Sequence, residues 1–398
     1  MTEKLFEKYP DMSFCDATVL SCTETEQGFE AVLDKTVLFP EGGGQLCDRG
    51  TVNGAEVLSV SESDGEIIHL LSEKVEPGST VKVCLDEGYR LDNSQQHTGE
   101  HMLSFAFYKL FGAKNVGFHM NERAITIDLD TELTPEQVRM AENYANGEIW
   151  QDKSVDILYR MDDDLGDIPM RKVTEKVKGL LRVVVIPGGD ACTCCGTHVS
   201  STGKVGLIKV LKSERHRGGM RIEAACGRRA LQALQSDRDV VSELMGILST
   251  DESSIVQSVS NLKNDLRQSA MQLGRTGAKL MDYMAAEAAE NAPEKNGVKV
   301  ICAAAEVSPN EAKQLLTRLL GETGRIGAVI YPMEERIGYM VGRSEGVSLS
   351  CREVSSLING IFNAKGGGRD ELCQGSGKKT KDWKELTNML SDSILRMI

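Results

Sequence analysis

The sequence predicts a multidomain α+β protein, and three observations carry that prediction. From Val19 to Asp86, short β-rich runs alternate with Gly, Pro and Asp turns. From about residue 91 to 226, helical and strand spacings of apolar residues follow one another. Beyond Leu231 the apolar residues fall into steps of three, four and seven before a second mixed region begins. At 398 residues the chain is long enough for two or three domains, each with its own core. Its 40% apolar and 26% charged content excludes a disordered chain.

Residues 1–90 are predicted to form a small β-barrel, with runs AVLDKTVLF, TVNGAEVLSV, IIHLL and TVKVCL. Gly42, Gly43 and Gly44 of PEGGGQ lie in one of its loops. Three glycines let the backbone approach a neighbour closely, and they also suit a plain flexible turn. Residues 91–228 are predicted as an α+β domain. Asn93 or Ser94 caps a helix that runs to about Leu110 and ends at Gly112. A second helix covers TPEQVRMAENYANGEIWQ, with Thr134 as cap and Pro135 at its first position. Strands follow at LRVVVIP, VGLIKVLK and MRIEAAC, the last two joined by a turn through Arg217, Gly218 and Gly219. Residues 229–291 form a helical arm, from Leu231, Leu234, Val241, Leu244 and Leu248 to Ile255, Val259, Leu262, Leu266 and Leu273, broken near Ser249 to Ser254. After NAPEKNG, residues 292–398 carry strands at VKVICAAA, RIGAVIYP and RIGYMVGR, helices around them, and the lysine-bearing glycine segment KGGGRDELCQGSGKKTK.

The opening MTEKLFEKYP has no basic segment followed by an apolar run, and no stretch reaches the roughly 18 apolar residues of a membrane span, so a cytoplasmic protein without membrane contact is expected. Eleven cysteines scattered from Cys15 to Cys373 do not form a secreted disulfide framework. A net charge of −13 argues against a general nucleic-acid binder. A local basic segment nevertheless runs from Lys204 to Arg229, with Lys209, Lys212, Arg215, Arg217, Arg221 and Arg228, for which charge alone favours a solvated surface.

His97 and His101, in QQHTGEHML, are four residues apart on a predicted helix, so both imidazoles share a face and can converge on one metal ion. Zinc proteases place a glutamate directly after the first histidine, where Thr98 stands here, and Glu100 precedes the second. In ACTCCGTHV, Cys194 and His198 sit in a tight turn between strands, and three histidines with one cysteine suit tetrahedral zinc. Cys192 or Cys195 can replace Cys194 on spacing alone, and four protein ligands also suit a closed structural site.

With PEGGGQ at Pro40–Gln45, HTGEH at His97–His101, CCGTH at Cys194–His198 and MRIEAACG at Met220–Gly227, in that order, the chain resembles the alanyl-tRNA editing proteins of the AlaX family and the editing half of alanyl-tRNA synthetases. The resemblance covers the whole chain. It implies a barrel, a zinc-dependent editing domain, a helical arm and a C-terminal DHHA-type domain, whose glycine-rich segment Gly366–Arg369 resembles. It implies Cys194 as the fourth ligand, although Cys195 stands where the synthetases have a glycine. The activation region of a synthetase is not seen before the barrel, so the chain is not expected to make aminoacyl-tRNA.

The activity implied is hydrolysis of serine, or glycine, from mischarged alanine tRNA, which an alanine pocket rejects only weakly. Glu100 and Gln96 become candidates for handling protons or orienting ligands. Gly42, Gly43, Gly44 and Gln45 are expected to border the amino-acid pocket. Arg217 and Arg221 would meet acceptor-stem phosphates, and Lys378, Lys379 and Lys381 the tRNA body. His119 resembles a strand histidine of AlaX proteins, and a core position suits it equally. A homodimer through the arm and C-terminal domain is expected. Rivals are a threonine-tRNA editor and a non-catalytic zinc-stabilised RNA-binding module.

Overall fold

The computed structural model describes residues 1–166, 168–172, 179–378 and 384–398. It divides the chain into two units, Met1–Ile247 and Leu248–Ile398. In the first, six strands, β1 (Phe14–Thr25), β2 (Gly28–Leu33), β3 (Gly50–Val52), β4 (Ala55–Ser63), β5 (Glu66–Leu71) and β6 (Thr80–Leu85), pair antiparallel in the order β1-β2-β5-β4-β3-β6. β6 pairs back onto β1, closing a barrel. Alternate residues such as Ala17, Val19, Ile67, Leu71, Val81 and Val83 point inward and fill it. Sequence reading started this region at Val19 and ran AVLDKTVLF on as one segment. The longest strand instead starts at Phe14, and Asp34 breaks the run because its carboxylate accepts from Thr18 N–H at 2.7 Å.

Helix α1 (Glu87–Phe111) carries the histidine pair. It starts at Asp86, not at Asn93 or Ser94, because the Asp86 carboxylate accepts from Tyr89 N–H at 2.9 Å and caps the first turn. Asn93 and Ser94 are buried inside the helix. Gly112 ends it in a left-handed conformation. Arg90, 7% exposed, docks the helix on the barrel through Asp48 and the Val37 carbonyl.

Strands β7 (Asn115–Met120) and β8 (Ile125–Leu129) come next, then α2 (Pro135–Ile149), capped by a reciprocal Thr134–Gln137 box. Then follow β9 (Asp156–Met161), β10 (Leu180–Val185), β11 (Ala191–Thr193), β12 (Ile208–His216) and β13 (Gly219–Cys226). They build a four-stranded sheet, β12-β13-β8-β7, and a three-stranded one, β9-β10-β11. β12 begins at Ile208 rather than Val205, because Thr202–Val205 winds into a 3₁₀ turn. The β12–β13 turn has Arg217 and Gly218 at positive φ, as a two-residue hairpin requires. Leu103, Ala106 and Phe107 of α1 pack with Ala141 and Ala145 of α2 on Ile125, Ile127, Ile222 and Ala224 of the sheet. Helix α3 (Gly227–Leu248) follows.

In the second unit, Ser249 at positive φ and a 3₁₀ turn at Glu252–Ser254 precede α4 (Ile255–Glu290). Strands β14 (Glu294–Lys295), β15 (Val298–Ala304), β16 (Arg325–Met333), β17 (Arg336–Arg343), β18 (Lys365–Gly368) and β19 (Leu372–Lys378) form one sheet, β14-β15-β16-β17-β19-β18. Helix α5 (Pro309–Leu319) and the end of α4 cover one face. Helices α6 (Cys351–Phe362) and α7 (Leu386–Met397) cover the other. Within the glycine-rich segment, β18 and β19 pair as a hairpin beside the buried Tyr339 ring. Among the described residues no helix is long and apolar enough to cross a membrane.

Candidate metal centre

Helix spacing puts His97 and His101 on one face of α1, ring centroids 5.3 Å apart, and the turn after β11 brings His198 to 4.7 Å from each. Cys194 Sγ lies 3.3 Å from His97 Nε2 and 3.4 Å from His198 Nε2. One donor atom from each of His97, His101, Cys194 and His198 falls within 4.8 Å of the others, a spacing that one ion can bridge.

His97 and His198 each use Nδ1 on an oxygen of the surrounding shell, while His101 Nδ1 lies between the Asp190 carboxylate and Cys192 Sγ, its hydrogen-bond partner at 3.3 Å. His97 Nδ1–H donates to Gln45 Oε1 at 2.7 Å. His198 Nδ1 meets Thr98 Oγ1 at 3.1 Å, and His101 Nδ1 meets Asp190 Oδ2 at 3.1 Å. With Nδ1 carrying the proton, Nε2 keeps its lone pair for a metal. The donor set therefore fits zinc.

The charges agree. Burial opposes a Cys194 thiolate, yet the adjoining His97 and His198 hold its thiol well below the ordinary range, and Gly196 N–H donates to the sulfur at 3.4 Å. Burial pushes the Cys192 thiol up. It also raises Cys195, an exposed residue with the Cys194 charge beside it. Of the three cysteines in the turn, Cys194 alone is driven toward the metal-binding form. Burial brings His198 down to about 3. Burial disfavours charge on His101, but Cys192, Asp190 and Cys194 outweigh it and hold its pKa well above the usual value, so a metal binding there has to displace the Nε2 proton.

The PEGGGQ loop reaches the cluster through its last residue, Gln45. Gly43 and Gly44, both at positive φ, form a two-residue turn closed by paired Gly42 and Gln45 backbone bonds. A Cβ on Gly44 would lie 2.8 Å from the Phe118 ring, which rests against His97. Gln45 does not border an open pocket. It is 1% exposed, and its amide accepts from His97 Nδ1 and from Thr197 N at 3.0 Å while donating to Thr197 Oγ1 at 2.8 Å. Gly196 must be glycine, since a Cβ would meet His97 Cε1 at 2.2 Å.

Gln96 is turned away from the cluster, because its amide pairs with both backbone groups of Cys226 at 2.8 Å, a helix-to-strand tether. Glu100 stays close. Its Oε1 accepts from Ser104 and from Asn115 at 2.7 Å, leaving Oε2 3.9 Å from His101 Nε2. A cavity of about 160 Å³ opens beside His198, lined by Ser94, Thr197, Ser200 and Lys204 among others.

The basic segment is largely neutralised. Lys209 pairs with Glu142, Lys212 with Glu214, Arg215 with Glu132, Arg221 with Asp128 and Arg229 with Asp92. The Asp128 pair spends the Arg221 guanidinium bidentately, at 2.7 and 2.8 Å. Among the described residues, Lys204, Arg217 and Arg228 have no acidic partner. His119 is exposed on β7, not in the core. Lys378 is exposed at the end of β19, while Lys379 and Lys381 lie outside the described residues.

Sequence reading missed Asp190, Thr98 and Arg171 as supporting groups. The signal was present in D-A-C-T-C, since strand alternation puts Asp190, Cys192 and Cys194 on one face.

Residues 181–223, spanning this turn and most of the β12–β13 hairpin, match the family described as the threonyl and alanyl tRNA synthetase second additional domain. The chain is 28% identical over 394 residues to the alanyl-tRNA editing protein AlaX-L of Pyrococcus horikoshii, covering 94% of each chain. To alanyl-tRNA editing protein Aarsd1 of Bos taurus it is 31% identical over 301 residues, 71% of this chain and 67% of that one. To the alanine–tRNA ligase of Methanococcus maripaludis it is 29% identical over 407 residues, 99% of this chain but 44% of the ligase.

Proposed function

This chain belongs to the family of alanyl-tRNA editing proteins, and from that premise we propose that it hydrolyses mischarged alanine tRNA in trans at a zinc centre made by His97, His101, Cys194 and His198. The observation that supports the metal reading is the convergence of one donor atom from each of the four residues within 4.8 Å, with His97 and His198 turned by hydrogen bonds at Nδ1 and His101 Nδ1 3.1 Å from the Asp190 carboxylate.

The reaction adds water across the ester joining serine, or glycine, to the terminal ribose, giving the free amino acid and tRNA. Zinc held by the four residues supplies Lewis-acid polarisation of that ester. Glu100 Oε2, left free by the anchoring of Oε1, takes a proton from the attacking water and returns it to the ribose oxygen as the ester C–O bond breaks. The cavity beside His198 receives the aminoacyl group, and its hydroxyls from Ser94, Thr197 and Ser200 give a serine hydroxyl the partners that alanine cannot use. Lys204 at that cavity and Arg217 at the hairpin tip, both without acidic partners, meet acceptor-stem phosphates. The exposed backbone of Gly42 and Gly43 lies against the tRNA end, and Lys378 touches its body. Such work belongs in the cytoplasm.

We assign residues 1–90 to a barrel domain, 91–228 to the editing domain, 229–291 to the arm and 292–398 to a DHHA-type domain. Along α4, Val259, Leu266, Leu273 and Leu280 recur every seventh residue and are 47, 71, 75 and 55% exposed. A second copy of the chain covers this stripe, and a monomeric mass in light scattering would overturn that.

The test is incubation with seryl-tRNA of the alanine type, seryl-tRNA of the threonine type and correct alanyl-tRNA. Serine release from the first alone is expected. Release from the threonine type instead would make this a threonine-tRNA editor, and intact ester throughout would leave a non-catalytic module.

A further inference from the structure

Of the three histidines in the cluster, His97 and His198 lean on neutral groups, the Gln45 amide and the Thr98 hydroxyl. His101 leans on a carboxylate. Asp190, 2% exposed, lies with Oδ2 3.1 Å from His101 Nδ1. Arg171 holds that carboxylate from behind, Nε to Oδ1 at 2.7 Å and Nη2 to Oδ2 at 2.9 Å. The backbone aligns the pair, since Arg171 N–H donates to the Ala191 carbonyl at 2.7 Å, one residue beyond Asp190.

We propose that Asp190, clamped by Arg171, is the positioning residue for His101, fixing the ring so that Nε2 faces the position a metal would take beside Cys194. The inference rests on reading the cluster as a metal centre. A carboxylate behind a metal-binding imidazole fixes ring and tautomer and makes the nitrogen a better donor. Cys192 sharpens the argument, because its Sγ is 3.3 Å from the same His101 Nδ1. Sulfur is a weaker acceptor than a carboxylate oxygen, and without Asp190 it would be the remaining partner, letting the ring turn. Asp190 stands outside the set of His97, His101, Cys194 and His198, so on this reading its effect runs through His101.

Asp190→Asn alone leaves Arg171 buried without its counter-charge and can fail to fold. The pair Asp190→Asn with Arg171→Met removes both charges together. Zinc per chain, the rate of zinc transfer to a chromophoric chelator and the visible spectrum of the cobalt-substituted protein are compared with wild type. Melting of the metal-free proteins serves as the folding control. The proposal expects a folded paired variant that gives up zinc at least about tenfold faster, with an altered cobalt spectrum. Asp190→Glu, which keeps the charge on Arg171, should recover part of the retention. A folded paired variant with wild-type zinc release and cobalt spectrum overturns the proposal. Wild-type protein that takes up neither zinc nor cobalt overturns the metal reading itself, and this inference with it.

Discussion

Replacing Gln45 with alanine removes one side chain that serves three hydrogen bonds at once. His97 Nδ1–H and Thr197 N–H lose their acceptor, and Thr197 Oγ1 loses a donor. All of this lies where Gln45 is 1% exposed and Thr197 is 7% exposed. Two buried donors without partners cost about 1 to 3 kcal/mol each, so the variant should be destabilised by about 2 to 6 kcal/mol. Freeing the His97 ring should weaken zinc binding by about 10- to 100-fold. Gln45→Glu keeps an oxygen for both donors, and the Thr197 hydroxyl can donate to the carboxylate, so it should lie much nearer wild type. Denaturant unfolding of metal-free protein reads the first effect, and chelator competition the second. A Gln45→Ala protein with wild-type unfolding midpoint and zinc affinity would refute the claim that the barrel loop orients the metal site.

Cys194→Ser should abolish stoichiometric zinc binding, while Cys195→Ser, at an exposed position, should leave zinc content within error of wild type; elemental analysis distinguishes them. His69 in the barrel core is fully buried, its Nδ1 donating to the Ala31 carbonyl at 3.3 Å, and burial lowers its pKa from 6.5 to about 4. The unfolded chain therefore binds more protons between these values, so the neutral ring's stabilisation is complete above pH 6.5 and is lost as pH falls toward 4. The loss is about 3 kcal/mol, and unfolding titrations of wild type against His69→Gln should show this difference only below about pH 6.5. Asp48→Ala strands Arg90, 7% exposed, at the joint between barrel and α1, and should cost about 3 to 5 kcal/mol in the same assay.

Some of this was legible in the residues. Helical spacing of His97 and His101 and the Cys194–His198 turn marked the cluster, and Thr134 with Pro135 and Gly112 marked helix ends where the structure has them. Other features depend on contacts distant in sequence. Asn93 and Ser94 look like capping residues, yet Asp86 caps the helix and burial takes Asn93 and Ser94 into its interior. Three glycines before Gln45 suggested only close backbone approach or a flexible turn, and nothing local shows that the glutamine reaches Thr197 across 152 positions. The resemblance made Arg221 a phosphate contact, but its acidic partner Asp128 lies 93 positions away on β8, just as Lys209 finds Glu142 on α2, while Lys212 pairs with Glu214 on its own strand.

The central claim is that the four-residue cluster holds zinc and that this zinc is needed for deacylation. The direct measurement is zinc per chain alongside serine release from seryl-tRNA of the alanine type, before chelation, after it, and after zinc is restored. The account expects about one zinc per chain, release that falls with chelation and returns with zinc, and neither in Cys194→Ser. Full serine release from protein stripped of its metal would contradict it.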